Sequence, residues 1–133
     1  MIAAKKYFTP EQADAMLPLV RSIVKDIAEL APSVRDRHER LKRLQRGGVA
    51  KGVVTAAQLE EEEAALEHDR ERLEECLGEL SELGVEMKDP FVGLIDFPCW
   101  KDGREIYLCW KLGESSLGYW HEVNAGFAGR RPL

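Results

Sequence analysis

Two helix starts separated by a glycine-rich gap constrain this chain more than any other feature. Thr9, Pro10, Glu11 and Gln12 combine a capping threonine, a proline suited to the first helical position and a glutamine at the capping-box spacing. Thr55 and Gln58 repeat that spacing. After the first start, Ala13, Met16, Leu17, Val20, Ile23, Val24, Ile27, Leu30 and Val34 recur in steps of three and four, which marks one buried helical stripe. Leu41 and Leu44 continue it thinly until Gly47, Gly48 and Gly52 interrupt it. After the second start, Leu59, Leu66, Leu73 and Leu80 follow at heptad intervals, joined by Cys76, Leu77 and Leu83 before Gly84 supplies a stop. Pro18 and Pro32 each remove a backbone donor from the first pattern, which predicts kinks or a break near Pro32 rather than one straight rod.

The stripes are broad at the start of the first helix and the end of the second, and narrow near the glycines. Antiparallel pairing would lay the broad ends over a sheet and project the narrow ends as a short coiled-coil-like arm, a shape suited to homo-oligomerisation or to docking a protein partner. The basic residues Arg35, Arg37, Arg40, Lys42, Arg43 and Arg46 then face the acidic run Glu60 to Glu63 and are neutralised by it. With a net charge of -5 over 133 residues, the chain has no general attraction for phosphate backbones, and no nucleic-acid partner is expected.

The C-terminal third reads as strands. Segments from Phe91 to Cys99 and from Glu105 to Leu112 flank Lys101, Asp102 and Gly103, where Asp-Gly is a strong two-residue hairpin signal. Such a turn sets Asp96 opposite Cys109, Phe97 opposite Leu108 and Ile95 opposite Trp110. Ile95, Phe97, Leu108 and Trp110 then share the helix-covered face, and Asp96, Tyr107 and Cys109 the other. A third strand around Tyr119 to Val123 follows the loop Gly113 to Gly118. Placing Trp120 beside Trp110 sets His121 beside Cys109, so that Asp96, Cys109 and His121 form one row across three strands.

Carboxylate, thiol and imidazole are ligand types for zinc or iron, and Glu114, Glu122 and Arg130 form a second tier for a small anionic ligand. Paired ligands of the Cys-x-x-Cys kind are absent, so the expected site is open, with a position for water or substrate. An alternative is a cysteine-dependent enzyme using Cys109 and His121, but this row puts the thiol rather than the imidazole in the middle. The competing structural account treats Cys109 as a small apolar residue and His121 as a hydrogen-bonded core residue. Cys76 and Cys99 lie on apolar stripes and are expected to be structural. His38 and His68 sit on the charged arm without the Glu-x-x-His spacing of di-metal bundles. In the tail, Gly126 and Gly129 allow backbone turns close to a ligand whose carboxylate or phosphate Arg130 or Arg131 holds; the alternative is a loop whose Phe127 plugs the sheet and whose arginines meet surface carboxylates.

Three cysteines in no disulfide pattern indicate a reducing compartment. The start MIAAKKYFTPEQ lacks a leader-like apolar core, and no run reaches the roughly 18 apolar residues of a membrane span. A cytoplasmic protein without membrane contact is the expectation.

FTPEQADAMLPLVR, GVEMKDPFVGLIDFP, LCWKLGE and YWHEVNAGFAGRRPL together resemble a bacterial family catalogued as a domain of unknown function. The resemblance covers nearly the whole chain. Gly93, Asp96, Cys109, Trp110, Gly113, Glu114, Trp120, His121, Gly126 and Arg130 match its signature, which implies that the C-terminal region carries the function while naming no activity. The combined expectation is a single α+β domain: a long antiparallel helical hairpin over roughly residues 9–84, packed on one face of a small antiparallel three-stranded β-meander within roughly residues 90–133.

Overall fold

The computed structural model describes residues 5–133; the absence of a leader, read from the first twelve residues, falls partly on residues 1–4, outside them. Helix α1 spans Pro10–Gln45 and α2 spans Ala56–Glu82. Both open with complete capping boxes, Thr9 with Gln12 and Thr55 with Gln58. Helix α1 runs through Pro18 and Pro32 as one continuous helix, which excludes the break, one of the two alternatives expected near Pro32. Each proline deletes one donor only, while burial of Ile27, Leu30 and Ala31 holds the surrounding turns against the rest of the fold. Gly84 ends α2 with a φ of 88°, donating to the Ser81 carbonyl while Val85 donates to that of Leu80, a Schellman arrangement closed by the two buried side chains Leu80 and Val85.

The helices pair antiparallel. Arg40 meets Glu62 of the acidic run at 3.6 Å, and Arg37 meets Asp69, outside that run, at 3.0 Å. These pairs are largely exposed and contribute little to stability. The arm's apolar seam is correspondingly thin, with Leu30, Ala31, Leu41 and Leu66 buried.

The sheet has five strands in the order β1-β2-β3-β4-β5: Glu86–Asp89, Leu94–Lys101, Arg104–Lys111, Tyr119–Glu122 and Arg131–Pro132. The meander β2 to β4 is the expected one, and β1 and β5 extend it at either edge. They escape the sequence reading because β1 is a polar four-residue piece and β5 only two residues. The β2–β3 turn at Asp102 and Gly103 has both residues at positive φ, the type I′ geometry that suits a two-residue hairpin. Its register is the expected one, with Asp96 opposite Cys109 and Ile95 opposite Trp110. Ile95, Phe97, Ile106, Leu108, Trp110 and Trp120 pack against Ala13, Leu17, Val20, Val24 and Ile27 of α1 in one core. Complete burial of each aliphatic or phenylalanine side chain larger than alanine contributes roughly 1.5–3 kcal/mol.

The β3–β4 register differs from expectation by two residues. Trp120 lies opposite Leu108, His121 opposite Tyr107 and Tyr119 opposite Cys109. A two-residue slip preserves the face of every side chain, so parity alone does not detect it. The Trp110 indole instead donates to the Glu114 carbonyl in the intervening loop, which Arg21 also anchors through the Ser115 carbonyl.

Candidate functional site

The outer face of the sheet carries no helix, yet Asp96, Tyr107, Cys109 and His121 are all buried on it. Strand alternation explains their shared face, and neighbouring side chains together with the tail explain their burial. Above them lies a cavity of about 180 Å³, walled by Lys88, Leu94, Val123, Gly126 and Phe127. Its floor consists of Asp96, Tyr107, Cys109 and His121.

His121 is not beside Cys109 in the ladder, but its side chain reaches diagonally over β3 to Asp96. Nε2 of the imidazole lies 2.9 Å from Asp96 Oδ2, and Nδ1 lies 2.7 Å from the carbonyl of Glu122. A carbonyl only accepts, so Nδ1 carries a proton. One further proton then occupies the bond between Nε2 and Oδ2, and the pair is either imidazolium with carboxylate or imidazole with carboxylic acid. Both forms are neutral as a pair, which suits two ionisable groups only 3% exposed. The tether at Nδ1 is the outer hydrogen bond that commonly orients a metal-binding histidine, leaving Nε2 as the coordinating atom.

The ligand atoms of Asp96, Cys109 and His121 lie within 4.8 Å of one another. Asp96 Oδ1 is buried and accepts no hydrogen bond among the described residues, a condition that costs stability unless something else satisfies it. Burial pushes the Asp96 carboxyl above the ordinary carboxylate range, against the opposing pull of His121. Burial likewise pushes the Cys109 thiol up to about 12, and the adjacent carboxylate acts in the same direction. The thiol is therefore protonated at neutral pH. Both imidazole nitrogens are engaged elsewhere, so no base is in place to make Cys109 a nucleophile.

The second-tier residues are distributed differently. Glu114 Oε1 accepts from the Lys111 amide at 2.7 Å and Oε2 accepts from Arg130 at 2.5 Å. The Arg130 guanidinium is further sandwiched over the rings of Tyr119 and Phe127, at 3.9 and 4.7 Å. These two residues pin the tail beside the site, and the Arg130 Nε is left buried without a hydrogen-bond partner among the described residues. Glu122 alternates onto the opposite face from His121 and pairs with Arg104, which holds its carboxyl below the ordinary range. The structure does not bring its side chain to the row; only its backbone carbonyl contributes, through His121. On the arm, His38 Nδ1 lies 3.0 Å from Arg70, a contact between the paired helices.

Lys88 is a site residue that the sequence reading does not find, and the tail contributes more of the cavity wall than that reading assigns to it. Lys88 lies in a short polar segment with no strand pattern, and it reaches the cavity because β1 pairs with β2 in a register that puts Glu86 and Lys88 on the face of Asp96. Phe127 and Val123 belong to the tail, where Phe127 opens a 3-10 turn behind Gly126, whose φ of 66° favours glycine. The Gly-Phe-Ala-Gly composition was the available signal.

Among the described residues, no helix is long and apolar enough to cross a membrane. No curated protein and no solved structure matches the chain. Over residues 6–133 it matches the family model described as Uncharacterized conserved protein (DUF2203), and the chain belongs to that family.

Proposed function

We propose that Asp96, Cys109 and His121 bind a divalent transition-metal ion, zinc or iron(II), with an open coordination position facing the cavity. The observation that supports this most directly is the convergence of buried nitrogen, oxygen and sulfur donors within 4.8 Å around a carboxylate oxygen that lacks a protein partner. Tetrahedral ligands bound at roughly 2.0–2.3 Å from zinc stand about 3.3–3.8 Å apart, so occupancy requires the widest pair to close by about 1 Å and the bonded Nε2 and Oδ2 to separate slightly. The ion's charge also reverses the local acid–base balance: a dication favours thiolate and carboxylate, the forms that burial alone disfavours. Binding displaces the proton shared by Asp96 and His121 and the thiol proton, so affinity rises with pH. Three protein ligands and one open position match catalytic rather than closed structural zinc sites.

Elemental analysis of tag-free protein purified without chelator, run beside Cys109→Ser and His121→Gln, tests the reading. Near-stoichiometric metal in the parent and its loss in both variants is expected. Absence of metal, together with failure to take zinc from a chromophoric competitor, overturns it.

A second reading concerns the arm, where Val49 and Val53 stand 44% and 71% exposed beside the narrow seam. In this reading the arm docks a second copy of the chain. Light scattering of the parent and a Glu63→Lys variant is the test, and a strict monomer across concentration overturns it.

A further inference from the structure

We infer that the cavity takes a small carboxylic acid with a short apolar body, its carboxylate held between the metal position and the Lys88 ammonium. This rests on the metal-site reading and adds the ligand class. Strand alternation puts Lys88 on the same face as Glu86, whose register partner is Asp96, and so places a cation on the cavity wall. That ammonium lies 2.8 Å from Glu86 Oε1 and 4.9 Å over the Tyr107 ring, and Glu86 is itself 3.3 Å from the Tyr107 hydroxyl. An ammonium has three donors, and Glu86 takes one of them. Lys88 is thus positioned at its base while keeping donors for an anion at the cavity. Once the metal has engaged Asp96 and Cys109, Lys88 is the charged side chain left in the lining.

The rest of the wall is apolar: Leu94, Val123 and Phe127. A volume of about 180 Å³ exceeds only modestly a cavity of roughly 150 Å³ that holds benzene in another protein. The body of the acid is therefore short. A carboxylate fits the polar end because its two oxygens reach a metal ion and an ammonium at once, whereas a neutral amide forfeits the charge-assisted bond.

The test is a ligand-observed NMR titration of zinc-loaded protein with butyrate, and with butyramide as the neutral analogue. It is repeated on Lys88→Met and Lys88→Arg, with metal content measured on every sample. Lys88→Met retains the apolar stem and should keep its zinc while binding butyrate about tenfold more weakly, the effect of losing one charge-assisted hydrogen bond. Lys88→Arg should recover most of the affinity, and butyramide should bind poorly throughout. Equal butyrate affinity in the parent and Lys88→Met, no butyrate binding to metal-loaded protein, or butyramide binding as well as butyrate overturns the ligand class and leaves the metal site standing. A parent protein that takes up no zinc removes both.

Discussion

His121 on β4 reaches Asp96 on β2 across an intervening strand, Nε2 to Oδ2 at 2.9 Å, with Tyr107 and Cys109 of β3 beneath the contact. The link joins two strands that share no backbone hydrogen bond, and it does so with a single shared proton.

That proton separates two substitutions. Asp96→Asn can donate its amide to Nε2 and keep the link, so its stability in urea should stay close to the parent's. Asp96→Ala leaves the imidazole nitrogen buried without a partner and should cost about 1–3 kcal/mol. Both should lose metal binding. Equal unfolding midpoints for the two would show that the hydrogen bond does not matter to folding.

Cys109 supplies a pH dependence. Its thiol is pushed from 9.0 to about 12 in the folded protein. Between these values the unfolded chain has released the proton and the folded chain retains it. The unfolded state thus binds fewer protons, and stability falls as pH rises through this window. The slope is at most about 1.4 kcal/mol per pH unit. Denaturant titrations of metal-free protein from pH 8 to 11 should show this loss, and Cys109→Ala should reduce the slope, leaving the smaller contribution of Cys76, Cys99 and Tyr107, which burial also pushes up.

The same burial predicts selective inertness. Alkylation of the native, metal-free protein should be slowest at Cys109 and faster at Cys76, the half-buried thiol. Unfolding in urea should equalise the sites. Peptide mapping by mass spectrometry reads the order, and rapid native labelling of Cys109 would contradict its protonated, enclosed state.

Gly93 is a steric requirement of the α1–sheet contact. It has a φ of 69°, and an added Cβ would lie 2.7 Å from Leu112 Cβ and 2.9 Å from Val24 Cγ1. Gly93→Ala combines left-handed strain with overpacking and should destabilise the fold by about 2–4 kcal/mol. Thermal unfolding measures this. Gly103→Ala, which meets nothing within 4 Å, carries the backbone strain alone and should cost less.

The tail should depend on Arg130. Replacing it with Met removes the Glu114 pair while keeping apolar contact with Tyr119 and Phe127. Hydrogen exchange should quicken at the Leu133 amide, which donates to the Gly118 carbonyl, with the α1 core unchanged. Unaltered exchange would assign tail docking to the aromatic contacts alone.

Local chemistry in the sequence determined both helix starts, the Gly84 stop, the Asp-Gly hairpin and its register. It also determined which face each residue of β2 and β3 occupies, because capping, turn geometry and strand alternation act over a few residues. The hairpin, the meander and the shared face of Asp96, Cys109 and His121 were legible for that reason. Only the tertiary structure decided the rest. The continuity of α1 through Pro32, the two-residue slip of β4, the addition of β1 that brings Lys88 to the site and the pairing of Arg130 with Glu114 each depend on contacts between distant segments. A slip by two preserves every hydrophobic face, and an ion pair leaves no periodic trace in the chain. The Asp96, Cys109 and His121 face was therefore readable from the sequence, but Lys88 and the direct bond of His121 to Asp96 were decided by how the loops and edge strands close on the sheet.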